Sequence, residues 1–321
     1  MKVVVTTKDF CEEAKRYLES EGFEVALRNR LGIGAGAPDD VLYPVVEDAD
    51  AIIAGTETYR PELLARLRNL KLICRNGIGY DAINLDALRK EGIGLTRTNG
   101  FVEGAVAEQV MAYILYFARR VDLQSADMHD HSWNSRLMPG AKNRTLGLVG
   151  FGGIGTEVAK RAVPFGMKVI YFCRHPNPAD DAAYGVQSVS MEELLKESDY
   201  VVAAVPLTDQ TFHLFNEERI AQMKAGSVLI NIARGPVVDE EALAQALASG
   251  HLGGCAVDVF PKEPCTNSVL TRYANALLTP HSATSTAENS KATNFAAANN
   301  LVNYLKKDID AKYVVVQGTR Y

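Results

Sequence analysis

A strand, a glycine loop and a helix in the middle of the chain narrow its possible folds more than any other feature. The run "TLGLVGFGGIG" (145–155) places Gly150, Gly152 and Gly155 in the spacing G-x-G-x-x-G, between a β-rich run and a helical one. The first glycine of this pattern permits a tight turn, the second lets a pyrophosphate approach the backbone, and the third lets the helix pack on the strand. The sequence therefore predicts a Rossmann dinucleotide-binding unit beginning near Thr145.

Short β-rich runs alternate with helical runs on both sides of this point. Before it stand "VVVTT", "DAIIAG" and "KLICRNG", and after it stand "KVIYFC", "YVVAAVP" and "SVLINIA". Such alternation is typical of parallel strands joined by crossover helices. Because 321 residues exceed the usual size of one hydrophobic core, we expect an α/β protein of two domains with a cleft between them.

A second glycine-rich run precedes this unit. Gly32-x-Gly34-x-x-Ala37 also follows a predicted strand, but Pro44 lies where the motif requires a helix. Since an internal proline removes a backbone hydrogen bond and crowds the preceding turn, we interpret this run as a loop rather than a phosphate site.

The residues after the second strand of the Rossmann unit bear on the choice of cofactor. An acid there would bind both ribose hydroxyls and repel a 2′-phosphate, but the chain has Cys173, followed by Arg174 and His175. A guanidinium binds a phosphate through paired, charge-assisted hydrogen bonds. The sequence thus favours NADP; the alternative is a solvated Arg174 and bound NAD.

Composition excludes several classes of partner. The net charge is −5 with Lys and Arg scattered along the chain, which argues against nucleic-acid binding. No apolar run approaches the ~18 residues of a membrane span. The five cysteines are odd in number and include no C-x-x-C pair, so we expect reduced thiols, a cytoplasmic location and no metal site.

Three later segments carry candidate catalytic side chains: "LINIARGPVVDEEAL" with Arg234, "GGCAVDVFPKEP" with Asp258 and Glu263, and "LLTPHSAT" with His281. Each follows or ends a predicted strand, at the edge where ligands bind in parallel sheets. Together with the glycine loop, the chain closely resembles the D-isomer-specific 2-hydroxyacid dehydrogenases. The resemblance extends over further segments, "GIGYDAINLDAL" (77–88), "AVAEQVMAYIL" (105–115), Trp133 and "VPLTDQTFHLFN" (205–216).

The resemblance implies hydride transfer between NAD(P)H and C2 of a small 2-keto acid. Arg234 would hold the substrate carboxylate and keto oxygen, and His281, partnered by Glu263, would give the keto oxygen a proton. The turn expected to bind the carboxylate through its backbone consists of Asn76, Gly77, Ile78 and Gly79. The implied cofactor contacts, besides His281, are Gly150, Gly152, Gly153, Ile154, Gly155, Cys173, Arg174, His175, Val205, Pro206, Thr211, Ile232, Ala233 and Asp258.

It also implies a layout. A smaller, flavodoxin-like substrate domain would comprise residues 1–98 and 288–321, and the dinucleotide-binding domain would comprise residues 99–287. The apolar helix predicted over 104–121 would contribute to a homodimer.

Three functional hypotheses remain open at this point. The first is a reductase of glyoxylate or hydroxypyruvate. The second is a D-3-phosphoglycerate dehydrogenase, which is disfavoured because Ala54 stands where that enzyme tends to have an arginine, although Arg60 or Arg75 could replace it. The third is a nicotinamide-sensing binding protein of the same fold, which would not need the proton-transfer groups.

Overall fold

The computed structural model describes residues 1–29, 34 and 36–320. These residues form two compact units, described separately below. The first unit consists of Met1–Val102, Lys262–Pro264 and Thr284–Tyr321, and the second consists of Glu103–Pro261 and Cys265–Ala283.

Strands and helices are numbered in chain order. The strands are β1 Lys2–Val5, β2 Glu24–Leu27, β3 Ala51–Ala54, β4 Leu72–Arg75, β5 Gly94–Arg97, β6 Thr145–Val149, β7 Lys168–Phe172, β8 Gln187–Ser188, β9 Tyr200–Ala203, β10 Val228–Asn231, β11 Gly254–Val257, β12 Ala276–Leu278 and β13 Val314–Val316. The α-helices are α1 Glu12–Ser20, α2 Asp39–Val46, α3 Pro61–Arg66, α4 Leu85–Glu91, α5 Glu103–Arg119, α6 Val121–His129, α7 Gly153–Ala162, α8 Pro178–Tyr184, α9 Met191–Glu197, α10 Glu217–Ala221, α11 Glu240–Ala248 and α12 Ala287–Leu305.

The first unit is built on a six-stranded sheet in the order β13-β5-β4-β3-β1-β2. Strands β1 to β5 pair in parallel in the flavodoxin-like order, and β13 adds an antiparallel edge beside β5. All four residues of β3 are buried, as expected for a parallel strand covered on both faces. The expected flavodoxin-like α/β fold is confirmed.

The second unit is built on a seven-stranded sheet in the order β12-β11-β10-β9-β6-β7-β8. The order reverses at β6, which pairs in parallel with both β7 and β9. This is the doubly wound Rossmann order with one added strand, and ligands of such sheets bind at the carboxyl ends of the strands beside the reversal. The glycine loop directly follows β6, so the Rossmann prediction is confirmed and the loop lies at this point.

Helix starts follow the local sequence signals. The side chains of Asn84, Ser190, Asn216 and Asp239 each accept a backbone N–H of the first turn of α4, α9, α10 and α11, respectively. These caps satisfy donors that a helix cannot pair internally. They fix where each helix begins after its strand and thus which residues occupy the strand ends.

Two local predictions were wrong. Pro44 does not end the helix of its segment but lies inside α2, where the burial of Leu42, Val45 and Val46 outweighs the hydrogen bond that Pro44 cannot donate. The neighbouring glycine run lies mostly outside the described residues. The helix predicted over 104–121 ends at Arg119, because Arg120 takes a left-handed conformation (φ +41°) and starts a new helix, α6. Among the described helices, none is long and apolar enough to cross a bilayer.

Candidate active site

The glycine loop between β6 and α7 has the backbone form that its sequence predicts. Gly150 has φ +104°, and a Cβ on it would collide with the carbonyl oxygen of Ala204. A Cβ on Gly152 would instead point into space that holds no described atom within 4 Å. Gly152 is the N-cap residue of α7 and makes no side-chain cap, and the positive end of such a helix binds phosphate groups. The loop therefore fits a dinucleotide pyrophosphate.

Residues after β7 lie where the adenosine ribose of a Rossmann ligand is bound. Cys173 is half-buried, whereas Arg174 and His175 are exposed. Arg174 Nη1 lies 3.5 Å from Gln210 Oε1, a weak contact that leaves the guanidinium in solvent. The strand end thus presents a positive group and no carboxylate at this position.

The segment after β9 forms a closed turn at the same sheet edge. The Thr211 hydroxyl donates to the Pro206 carbonyl at 2.6 Å, and the Thr208 N–H donates to the Thr211 oxygen at 2.8 Å. These bonds fix the backbone from Val205 onward. Thr211 thus stabilises the predicted cofactor turn and has its own proton committed to the backbone.

Arg234 follows β10 on a braced segment. The buried Asn231 accepts the Ala233 N–H at 3.1 Å and donates to the Arg234 carbonyl at 3.0 Å. The Arg234 guanidinium donates to the Ala233 carbonyl at 2.8 Å. Gly235 must be glycine, because a Cβ would overlap the backbone of Phe260. Sequence reasoning did not identify Asn231, whose bracing role depends on a turn that only the structure reveals.

Asp258 and His281 come from the ends of the next two strands, β11 and β12. The His281 N–H donates to the Asp258 carbonyl at 2.7 Å, and the Ser282 and Ala283 N–H groups donate to the Asp258 carboxylate at 2.8 and 3.0 Å. His281 has φ +50°, a conformation that residues other than glycine adopt at a cost. The carboxylate of Asp258 therefore holds the turn that carries the imidazole.

The predicted carboxylate-binding turn lies in the first unit, after β4. Arg75 clamps it, because Nε donates to the Gly79 carbonyl at 2.9 Å and Nη1 to the Asn76 carbonyl at 2.6 Å. The Gly77 N–H donates to the Thr98 hydroxyl at 2.8 Å. The backbone of the turn is thus held between the Arg75 guanidinium and Thr98, the residue that follows β5.

The side chain of Asn76 serves the same turn. Its amide donates to Thr7 Oγ1 at 2.9 Å and to Asn294 Oδ1 at 3.0 Å. Nearby at the sheet edge, Glu57 is 2% exposed and its burial raises the pKa of the carboxyl above the usual value. Nothing in the sequence indicates that this acid is buried.

Three of the predicted site residues meet at one edge of the second unit's sheet. Arg234, Asp258 and His281 follow the adjacent parallel strands β10, β11 and β12. Glu263 and the turn Asn76–Gly79 both belong to the first unit, Glu263 as part of its short segment Lys262–Pro264. The partnership of Glu263 with His281 stays a prediction from the resemblance.

Comparison with known proteins agrees with this geometry. Residues 111–283 match the family model described as "D-isomer specific 2-hydroxyacid dehydrogenase, NAD binding domain". The matched range contains the glycine loop and the strand ends that carry Arg234 and His281. The second unit is therefore an NAD(P)-binding domain of this family.

Similar proteins extend over nearly all of the chain. A glyoxylate reductase of Thermococcus litoralis is 37% identical over 86% of this chain and 87% of its own length. A hydroxypyruvate reductase of Thermotoga maritima is 37% identical over 78% of this chain and 82% of its own. A Thermus thermophilus crystal structure has a TM-score of 0.86 at 36% identity, covering 98% of this chain and 100% of that one. The chain belongs to the D-isomer-specific 2-hydroxyacid dehydrogenases, oxidoreductases that act on CH–OH donors.

Proposed function

We propose that this chain reduces a small, unphosphorylated 2-keto acid, glyoxylate or hydroxypyruvate, to the D-2-hydroxy acid. The observation that carries the proposal is the succession of Arg234, Asp258 and His281 at the carboxyl ends of three adjacent strands. A guanidinium and an imidazole at one sheet edge supply an anchor for a carboxylate and a proton donor for a carbonyl oxygen. When bound, the reduced nicotinamide supplies the hydride.

Each residue has a distinct part in this reaction. The Arg234 guanidinium binds the substrate carboxylate and keto oxygen, and His281 gives that oxygen a proton. Backbone N–H groups of Ile78 and Gly79 bind the carboxylate, and the clamp of Arg75 on this turn supports that role. Ile232 and Ala233, both buried at the end of β10, pack the nicotinamide ring. The Asp258 carboxylate has three donors from its own unit and room for about one more, such as the nicotinamide amide.

The hydrogen bonds that two arginines, Arg75 and Arg60, already make favour an unphosphorylated substrate over 3-phosphoglycerate. Nε and Nη1 of Arg75 donate hydrogen bonds to backbone carbonyls of its own turn. Arg60 pairs with Asp39 at 2.7 Å and also donates to the Ala37 carbonyl. A phosphate would have to replace these partners, at the cost of the interactions that they now make.

The most direct test is a matrix of keto acids against the two cofactors. Glyoxylate, hydroxypyruvate, pyruvate and 3-phosphohydroxypyruvate are each assayed with NADH and with NADPH. We expect the highest kcat/KM for glyoxylate or hydroxypyruvate. A preference for the phosphorylated acid would contradict the proposal. Absence of turnover with every acid, together with binding of the cofactor, would instead favour a nicotinamide-sensing role.

We propose further that NADPH is the preferred cofactor. The support is the exposed Arg174 after β7 and the lack of an acid at Cys173. Replacing Arg174 with alanine removes the charged partner of the 2′-phosphate and should raise KM for NADPH about tenfold, since a hydrogen bond to a charged group contributes roughly 1.5–3 kcal/mol. KM for NADH should stay within twofold.

The reciprocal variant is Cys173→Asp, which should reverse the preference because a carboxylate repels the 2′-phosphate and accepts the ribose hydroxyls. The matched control is Arg219→Ala, since Arg219 lies in the same unit and donates to the Leu214 carbonyl. Equal kcat/KM for the two cofactors in the unmodified protein would contradict the preference.

A homodimer formed through the second unit is also proposed. Large apolar side chains are exposed along α6 and the segment after it: Val121, Leu123, Met128, Trp133 and Leu137. Trp133 is 87% exposed, although Arg136 holds this segment against α6 through a two-pronged pair with Asp127. An ordered surface of this kind is typical of an interface.

Replacing Trp133 and Leu137 with serine should therefore convert the dimer to a monomer. Molar mass from light scattering checks this. Phe165→Ser, at a residue 49% exposed elsewhere in the unit, is the control and should remain dimeric. A monomeric unmodified protein would contradict the proposed interface.

The proposed location is the cytoplasm. All five cysteines are free thiols, and two of them, Cys74 and Cys255, are buried. Burial raises the pKa of both of these thiols to about 12. Free thiols of this kind support a reducing compartment.

A further inference from the structure

A chain of hydrogen bonds runs from helix α5 to the turn that carries His281. The Tyr113 hydroxyl lies 2.5 Å from Thr279 Oγ1, and Thr279 Oγ1 lies 2.6 Å from Asp258 Oδ1. Tyr113 and Asp258 are each 1% exposed. All of these residues belong to the second unit, and they join α5 to the ends of β11 and β12.

The direction of donation along this chain follows from the chemistry of its members. An ionised carboxylate only accepts hydrogen bonds, so the single hydroxyl proton of Thr279 goes to Asp258. The Tyr113 hydroxyl must then donate to Thr279. Burial raises the pKa of Tyr113 above its usual value, so the phenol keeps its proton at any pH at which the protein would be assayed.

At its other end the chain reaches a strained turn. Asp258 Oδ1 accepts the Ser282 N–H as well as the Thr279 hydroxyl, and Oδ2 accepts the Ala283 N–H. His281 stands between these contacts with φ +50°. A left-handed conformation of a residue other than glycine persists where its surroundings over-determine it. The carboxylate must therefore be held in one orientation if the imidazole is to have one position.

We propose that Tyr113 is a positioning residue for the proton transfer, acting through Thr279 and Asp258 on the His281 turn. This inference rests on the proposed acid–base role of His281. Tyr113 is the only one of these residues that approaches the turn from a helix, and α5 lies outside the strand ends that carry the site. Without its hydroxyl, the Thr279 oxygen loses the donor that orients it, and the hydrogen bond from Thr279 to the carboxylate is held less firmly.

Tyr113→Phe removes only that hydroxyl. We expect the single-turnover rate of NAD(P)H oxidation to fall about tenfold, the effect of losing one buried hydrogen bond from the transition state. The solvent deuterium isotope effect on that rate should rise, because proton transfer becomes slower. KM for NAD(P)H should stay within twofold. Tyr116→Phe is the matched control: Tyr116 lies on the same helix, packs edge-on to Phe117 and should leave the rate and isotope effect unchanged.

Variants of Thr279 separate positioning from packing. Thr279→Val breaks the chain, so Tyr113→Phe added to it should cause no further loss of rate. Thr279→Ser keeps a hydroxyl and should retain most of the rate. A tyrosine that contributed only to packing would give losses that multiply in the double variant, and its effect would appear in the melting temperature rather than in the isotope effect.

The activity of a His281 variant distinguishes failure of the proposed function from failure of the positioning role of Tyr113. If His281→Asn turns over keto acids at the unmodified rate, the proposed function fails. If that variant is inactive while Tyr113→Phe reacts at the unmodified rate, or its loss multiplies with that of Thr279→Val, the positioning role of Tyr113 is overturned and the proposed function stands.

Discussion

Replacing His281 with asparagine should lower kcat for glyoxylate or hydroxypyruvate about 10³-fold, within the range of roughly 10²–10⁴ for loss of a general acid. Asparagine cannot protonate the keto oxygen, but it tolerates the left-handed conformation that His281 adopts at φ +50°. The contacts of Asp258 with the turn involve backbone N–H groups, that of residue 281 included, so they remain. The loss should therefore fall on the chemical step, with an unchanged melting temperature.

The control is His213→Asn, because the chain offers a second histidine with positive φ in the same unit. His213 has φ +46° and lies 3.7 Å from the Asp239 carboxylate. Asparagine at position 213 must adopt the same left-handed conformation, and this substitution should leave kcat unchanged. Steady-state kinetics with NADPH and a circular dichroism melt measure both variants. An active His281→Asn enzyme would contradict the assignment of the proton donor.

Replacing Arg234 with alanine should lower kcat/KM for the keto acid by about 10³-fold, since two charge-assisted hydrogen bonds of roughly 1.5–3 kcal/mol each are lost. The effect should appear mainly in KM, because the carboxylate is bound before and during hydride transfer. Ala233 and Asn231 hold the backbone of the segment without the guanidinium, so the fold should survive.

A neutral substrate makes this test specific. Glycolaldehyde carries a reducible carbonyl but no carboxylate, so its kcat/KM, low in the unmodified protein, should fall far less in Arg234→Ala. The preference for the acid over the aldehyde should thus collapse. Equal losses on both substrates would show that Arg234 supports the structure rather than the carboxylate. Arg219→Lys, in the same unit and bound to a backbone carbonyl, is the control.

Local features of the fold could be predicted from the sequence. The helix caps Asn84, Asn216 and Asp239 can be recognised from the residues around them, because a cap depends only on the residues of one helical turn. The glycine loop was predictable for a related reason: a strand, a turn and a helix within about 20 residues fix its motif. Arg234, Asp258 and His281 follow strand ends, and adjacent parallel strands bring them to one edge.

Contacts between distant segments gave no signal in the sequence. Tyr113 and Thr279 are 166 positions apart. A tyrosine in an apolar helix is therefore interpreted as a core residue until its hydrogen-bond partner is known. Asn231 was missed because its two hydrogen bonds close a turn that no pattern specifies. The break at Arg120 depends on one backbone conformation that arginine rarely adopts.

The discontinuity of the first unit has a consequence for synthesis on the ribosome. Its sheet includes β13, and the face of Val3, Val5 and Leu72 is covered by Leu301 and its neighbours on α12. Nascent chains usually fold their N-terminal domain first. Here the second unit, which is nearly continuous, is synthesised before α12. We therefore expect it to fold first, while the N-terminal part of the first unit still has an uncovered apolar face. That waiting interval is when the nascent chain most needs a chaperone.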